Sequence, residues 1–158
     1  MSEIKVVVAD DDDAMRQAMV DVLEAHGGFD VVGVLVDGRT LGQVVEETGP
    51  DVVLVDVRMD HGGVTAVTEL LGLSSAPVAV AVSATTDTAT VAALLRAGAS
   101  SYLAKGHLGR TFPDDVLRCT EGQVVLAVPM AAQVLRLLAG SAPEGRDPLP
   151  RPQGRAGA

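Results

Sequence analysis

Aromatic residues are nearly missing from this chain: two phenylalanines, one tyrosine and no tryptophan among 158 residues. A core without large rings must be filled by Val, Leu and Ala, which suits continuous apolar strands. Cysteine occurs once, as Cys119, so an internal disulfide is excluded and a reducing compartment suits the chain. Cys119 lies in a helical pattern and reads as a small hydrophobe. Lysine is scarce: of twelve basic residues only Lys5 and Lys105 are lysines. Against this arginine-rich bias, a lysine well inside the chain stands out. Positive charge is short overall, and a net charge of −9 argues against nonspecific binding to DNA or to an anionic membrane surface. No apolar run reaches the roughly 18 residues a membrane span needs. The first residues pass straight into a strand pattern with no signal-peptide character, so the expectation is a cytoplasmic protein with no membrane contact. The length suits one domain with a full core.

What the chain does have is four consecutive aspartates, Asp10 to Asp13, directly behind the apolar run Val6-Val7-Val8-Ala9. Clustered carboxylates repel one another and are costly to desolvate without a partner. A divalent cation relieves both costs. Magnesium takes hard oxygen ligands, often one or two carboxylates, and keeps positions for water and phosphate oxygens. The plainer alternative is helix capping, since Asp is favoured at the N-cap and in the first turn. Both readings hold together if some of the four bind metal and the others start the next helix.

Along the chain, apolar strands alternate with helical patterns. Strands are expected at Lys5–Ala9, Val31–Val36, Val52–Val55, Val78–Val82 and Ser101–Leu103. Helices are expected at Ala14–Ala25, Leu41–Glu47, Val64–Leu71, Thr88–Ala97 and Pro113–Thr120, several of them closed by glycine. Five strand–helix units with continuous apolar strands, Val52–Val55 wholly so, indicate a parallel sheet covered on both faces. In such sheets, ligands bind at the carboxyl ends of the strands. The polar residues worth noting fall there: Asp10–Asp13, Asp56, Ser83 and Lys105. Each has a bland reading as a turn residue or solvated side chain. Converging on one rim, they form a more specific set. Asp56 does not adjoin its helix, so it is a poor cap and a natural nucleophile, because carboxylates accept phosphoryl groups. Magnesium near Asp10 and Asp11 neutralises phosphoryl charge, Lys105 adds a point charge, and Ser83 adds a hydroxyl.

These residues carry a family resemblance. Val8-Ala9-Asp10-Asp11 followed by Met15-Arg16, Val53-Leu54-Val55-Asp56-Val57-Arg58-Met59, Val82-Ser83-Ala84, and Gly98 through Lys105 resemble the motifs of a bacterial response-regulator receiver domain. The resemblance covers about residues 4–122. It implies an α/β fold, the (βα)5 flavodoxin-like three-layer sandwich, with a parallel five-stranded sheet in order 2-1-3-4-5. It implies Asp10 and Asp11 as metal acids for Mg2+, completed by Asp56 and the backbone carbonyl of Arg58. Asp56 would accept the phosphoryl group from a histidine kinase, and Ser83 and Lys105 would contact it. Ser83 and Tyr102 would form the switch pair, acting on a partner or homodimer face of the fourth helix, fifth strand and fifth helix that includes Val91, Leu94 and Leu95. Residues 123–139 resemble the connector of NarL/FixJ-type regulators, in which a DNA-binding domain follows. The implied division is a receiver at 1–122, a connector with a short helix at 123–139, and a tail at 140–158. That tail is rich in Pro, Gly and Arg, is expected to be disordered, and is too short for a DNA-binding domain. No direct DNA binding is expected of this chain as it stands.

One departure is visible. Where the family usually has proline after Met59, this chain has Asp60-His61-Gly62-Gly63. Losing proline is expected to loosen the loop beside Asp56, and Asp60 adds negative charge there. Two other functions compete with the phosphorylation switch. One is a phosphorylation-independent receiver acting as a protein- or ligand-binding module. The other is a haloacid-dehalogenase-type phosphatase, suggested by Asp10-x-Asp12 but lacking Thr or Val at position 14. Of the three, only the phosphatase would be a turnover enzyme.

Overall fold

The computed structural model describes residues 2–85 and 87–140. The chain alternates β1 (Ile4–Ala9), α1 (Asp13–His26), β2 (Phe29–Leu35), α2 (Leu41–Thr48), β3 (Val52–Asp56) and α3 (Gly63–Leu71). It continues with β4 (Val78–Ser83), α4 (Thr88–Ala97), β5 (Ser101–Ala104), α5 (Phe112–Thr120), β6 (Leu126–Ala127) and α6 (Ala131–Ala139). The expected (βα)5 flavodoxin-like order 2-1-3-4-5 is present, every pairing is parallel, and a sixth strand extends the sheet beyond β5.

Strand side chains alternate between two cores, as the pleat demands. Val6, Val8, Val52, Leu54, Val80, Val82 and Leu103 face α1 and α5, against Leu23, Phe112 and Val116. Val7, Val53, Val55, Ala79, Ala81 and Tyr102 face the other side, against helices α2, α3, α4 and α6. β3 is buried along its whole length. Each fully buried Val or Leu contributes about 1.5–3 kcal/mol, so small aliphatics in number replace the missing rings.

The sixth strand changes the edge of the sheet. Tyr102 N–H donates to the Val125 carbonyl at 3.0 Å, and Val125 N–H donates to Ser101 Oγ at 2.7 Å. The chain then returns as α6 across α4, where Val134 is fully buried and Arg96 Nη2 donates to the Leu137 carbonyl at 3.1 Å. This corrects one expectation. Val91 and Leu94 of α4 are core residues, Leu95 is half-buried, and the α4–β5 face is already covered by the chain's own β6 and α6. Residues 141–158, most of the proposed tail, lie outside the described residues.

Candidate functional site

Strand register brings the rim together. Ala9 pairs with Val55, so Asp10 and Asp56 leave adjacent strands at the same level. Asp56 pairs with Val82, which puts Ser83 one residue further along β4, and Ser83 pairs with Ala104, immediately before Lys105. Asp10 is fully buried, and Asp56 is 3% exposed. Lys105 Nζ lies 2.8 Å from Asp10 Oδ2 and 3.6 Å from Asp56 Oδ2.

The four aspartates divide their work. Asp12 is the N-cap of α1, its Oδ1 accepting from Met15 N–H at 3.0 Å. Asp13 pairs with Arg16 in the first turn. Arg16 Nη1 also donates to the Asp10 carbonyl at 2.8 Å, and Asp12 N–H donates to Asp10 Oδ1 at 2.9 Å. These contacts aim the Asp10 carboxylate into the rim. Asp12, the second acid of the Asp10-x-Asp12 spacing, is thus engaged at the helix end.

Asp10, Asp11 and Asp56 can each offer a carboxylate oxygen within 4.8 Å of the others. Three carboxylates face one ammonium here, and Arg16 bonds the Asp10 backbone rather than its carboxylate. A hard divalent cation fits this oxygen-only donor set and the uncompensated charge. Burial, and then the charge of Asp10, push the Asp56 carboxyl up to about 6, while Lys105 pulls the other way. Burial disfavours the Lys105 charge, but the hydrogen bond to Asp10 and the charges of Asp56 and Asp10 outweigh it and hold the ammonium above its usual range.

On the far side of the rim, Ser83 is fully buried and its Oγ accepts from Thr85 N–H at 3.1 Å. Tyr102 is also fully buried, and its hydroxyl donates to the Thr85 carbonyl at 2.5 Å. Burial raises the Tyr102 phenol above its usual range, opposed by Ser83. Thr85 therefore joins Ser83 to Tyr102 through its backbone, a role that no side-chain motif signals.

The loop after β3 is held by contacts from the β2–α2 connection. Gly38 N–H donates to the Asp60 carbonyl at 2.9 Å, and Arg39 Nη2 and Nε donate to Asp60 Oδ2 at 2.5 and 3.2 Å. The hydrogen bond from Arg39 holds the Asp60 carboxyl below the usual carboxylate range, so its negative charge is matched locally. Contacts from the β2–α2 connection reach the segment where proline is missing.

Comparison with known proteins agrees with this geometry. The response regulator receiver domain family matches residues 6–112. The transcriptional regulatory protein LnrK of Bacillus subtilis is 32% identical over 134 residues, covering 84% of this chain and 60% of that protein. A protein-glutamate methylesterase/protein-glutamine glutaminase of Rhodospirillum rubrum is 28% identical over 144 residues, covering 85% of this chain and 40% of that protein. The chain thus spans well under two thirds of both relatives. The signal receiver domain of the response regulator NarL from Mycobacterium tuberculosis superposes with a TM-score of 0.74 at 30% identity, covering 78% of this chain and all of that one. The chain belongs to the response-regulator receiver family, with relatives among NarL- and LuxR-type two-component regulators.

Proposed function

We propose that this chain is a phosphoacceptor switch that takes a phosphoryl group from a histidine kinase onto Asp56. The single observation behind this is the buried Asp56 carboxylate at a strand end, with Asp10, Asp11 and Lys105 gathered around it. With a pKa near 6, Asp56 is mostly ionised at neutral pH. One carboxylate oxygen attacks phosphorus, the bond from phosphorus to the donor histidine nitrogen breaks, and an aspartyl phosphate forms. Lys105 holds a fixed positive charge beside that oxygen, and Ser83 can turn its hydroxyl toward the new phosphoryl group. Asp10, Asp11, Asp56 and the Arg58 carbonyl would hold Mg2+, which supplies charge neutralisation on the phosphoryl oxygens. The chain is consumed in this reaction rather than turning over substrate, so it acts as a signalling acceptor and not as an enzyme.

An apolar cavity of about 140 Å3 beside the rim supports a protein donor. Met15, Met19, Val22, Leu108 and Phe112 line it, with Lys105 at its edge. A helix of the kinase with an apolar face suits this groove. The receiver proper ends near residue 122, and 123–139 serve as a connector that packs back on α4. A homodimer through α4, β5 and α5 then requires α6 to move or to join the interface. Among the described residues, no helix is long and apolar enough to cross a membrane.

A second reading has its own observation. Tyr102 already points inward and is tied to the Thr85 carbonyl. A receiver fixed in that arrangement signals without phosphorylation. Amide NMR with beryllofluoride and Mg2+ tests both. The switch predicts shifts at Ser83, Thr85, Tyr102 and α6 that vanish in Asp56→Asn. Shifts confined to Asp10, Asp11 and Asp56 would favour the fixed receiver.

A further inference from the structure

The contact between the β2–α2 connection and the loop after β3 has more parts than a surface ion pair. Asp37 Oδ1 accepts from Arg39 N–H at 2.9 Å, which holds the Asp37-Gly38-Arg39 turn in shape. Gly38 lies flat against the opposing backbone: a Cβ there would come within 2.1 Å of the His61 carbonyl oxygen. His61 itself has φ of 53°, a left-handed conformation costly for a residue with a side chain. Beyond it, Gly62 N–H donates to the Met59 carbonyl at 3.0 Å, and a Cβ on Gly62 would stand 2.5 Å from the Asp56 carbonyl oxygen. Residues 56–62 are therefore folded tightly on themselves, and the grip on Asp60 from Gly38 and Arg39 holds the outer end of that fold.

We propose that Arg39 is a positioning residue for the divalent-cation site, acting through Asp60 to fix the backbone at Arg58. The inference rests on the receiver reading of Asp10, Asp11, Asp56 and the Arg58 carbonyl. A proline would stiffen this segment by fixing φ; here hydrogen bonds from Gly38 and an arginine of the neighbouring connection hold it instead. A carbonyl ligand has no side chain to adjust, so its placement depends wholly on the loop that carries it. Groups that orient metal ligands typically influence affinity by about 10–100-fold.

Positioning and simple charge make opposite predictions for Arg39. Removing a cation near a cation site tightens binding if charge alone matters, and weakens it if Arg39 holds a ligand in place. The experiment is a Mn2+ titration of the full chain, followed by the electron paramagnetic resonance of free Mn2+, with no phosphodonor present. Arg39 is 63% exposed at its side chain, so Arg39→Ala leaves no hole in the core, and circular dichroism checks that it folds. The expected result is about tenfold weaker Mn2+ binding in both Arg39→Ala and Asp60→Ala, with most of the loss recovered by Arg39→Lys. Unchanged or tighter binding in Arg39→Ala would overturn the proposal while leaving the receiver reading intact. Absence of Mn2+ binding by the wild-type chain would overturn the cation-site reading itself, and the clasp with it.

Discussion

Lys105 stands between two carboxylates that solvent barely reaches, and it is the residue on which the unliganded site depends most. Without it, Asp10 and Asp56 are buried charges with no cation beside them. Breaking a buried pair from one side costs about 3–5 kcal/mol. Lys105→Met is therefore expected to destabilise the metal-free chain by about 3 kcal/mol at pH 7.5, measured by urea denaturation, with Mg2+ restoring part of the loss. Asp56 has the opposite sign. Its folded-state pKa of about 6 lies above the ordinary 3.8, so the folded chain holds this proton more tightly than the unfolded chain. Ionising Asp56 therefore opposes folding: the penalty is absent below pH 3.8, grows through the interval and is complete above pH 6. Asp56→Asn in chelator should raise the melting temperature at pH 7.5 by roughly 3–8 °C, and the gain should fade as pH drops toward 4. A gain independent of pH would mean that Asp56 is not the group responsible. In the sequence, Asp10, Asp56, Ser83 and Lys105 were recognisable because each follows an apolar strand. Thr85 and Arg39 were not, because one acts through its backbone and the other pairs with Asp60 across 21 residues.

At the scale of elements, β1, β3 and β4 were legible because their near-continuous apolar runs admit few other structures. β6 was not. It is two residues long, has no alternation to read, and depends on Ser101 Oγ receiving Val125 N–H, a contact between distant segments. A short helix after residue 123 was implied by the family resemblance, but the docking of α6 on α4 was not, so the apolar residues of α4 were read as a partner face when they are covered. Val134 carries that docking. Val134→Asp would bury an unpaired carboxylate and is expected to release α6 rather than unfold the sheet. Hydrogen exchange should then speed up in α6, and at Tyr102 N–H on the β5 edge by at least tenfold, while Val53–Val55 stay protected. Exchange rising equally in β3 would show that α6 belongs to the cooperative core instead.

The whole molecule is a small aliphatic sandwich that holds excess negative charge at one rim and covers its α4–β5 face with its own β6 and α6. Phosphorylating Asp56 would replace one carboxylate charge by about 1.5–2 phosphoryl charges, a net gain of up to about one at the most crowded point of that rim. Ser83, Thr85 and Tyr102 link that point to β5, and β5 is bonded to β6 and hence to α6. A change at Asp56 thus has a continuous physical route to α6. If a cation neutralises the rim in the folded chain alone, Mg2+ should raise the wild-type melting temperature more than that of Asp56→Asn, as scanning calorimetry can show. The most direct measurement is intact mass after incubation with acetyl phosphate, with Mg2+ or with chelator, for the wild-type chain and Asp56→Asn. The account predicts one added phosphoryl group on the wild-type chain with Mg2+ and none in the other three samples. Equal labelling of Asp56→Asn, or no labelling of a wild-type chain that binds Mn2+, would contradict it.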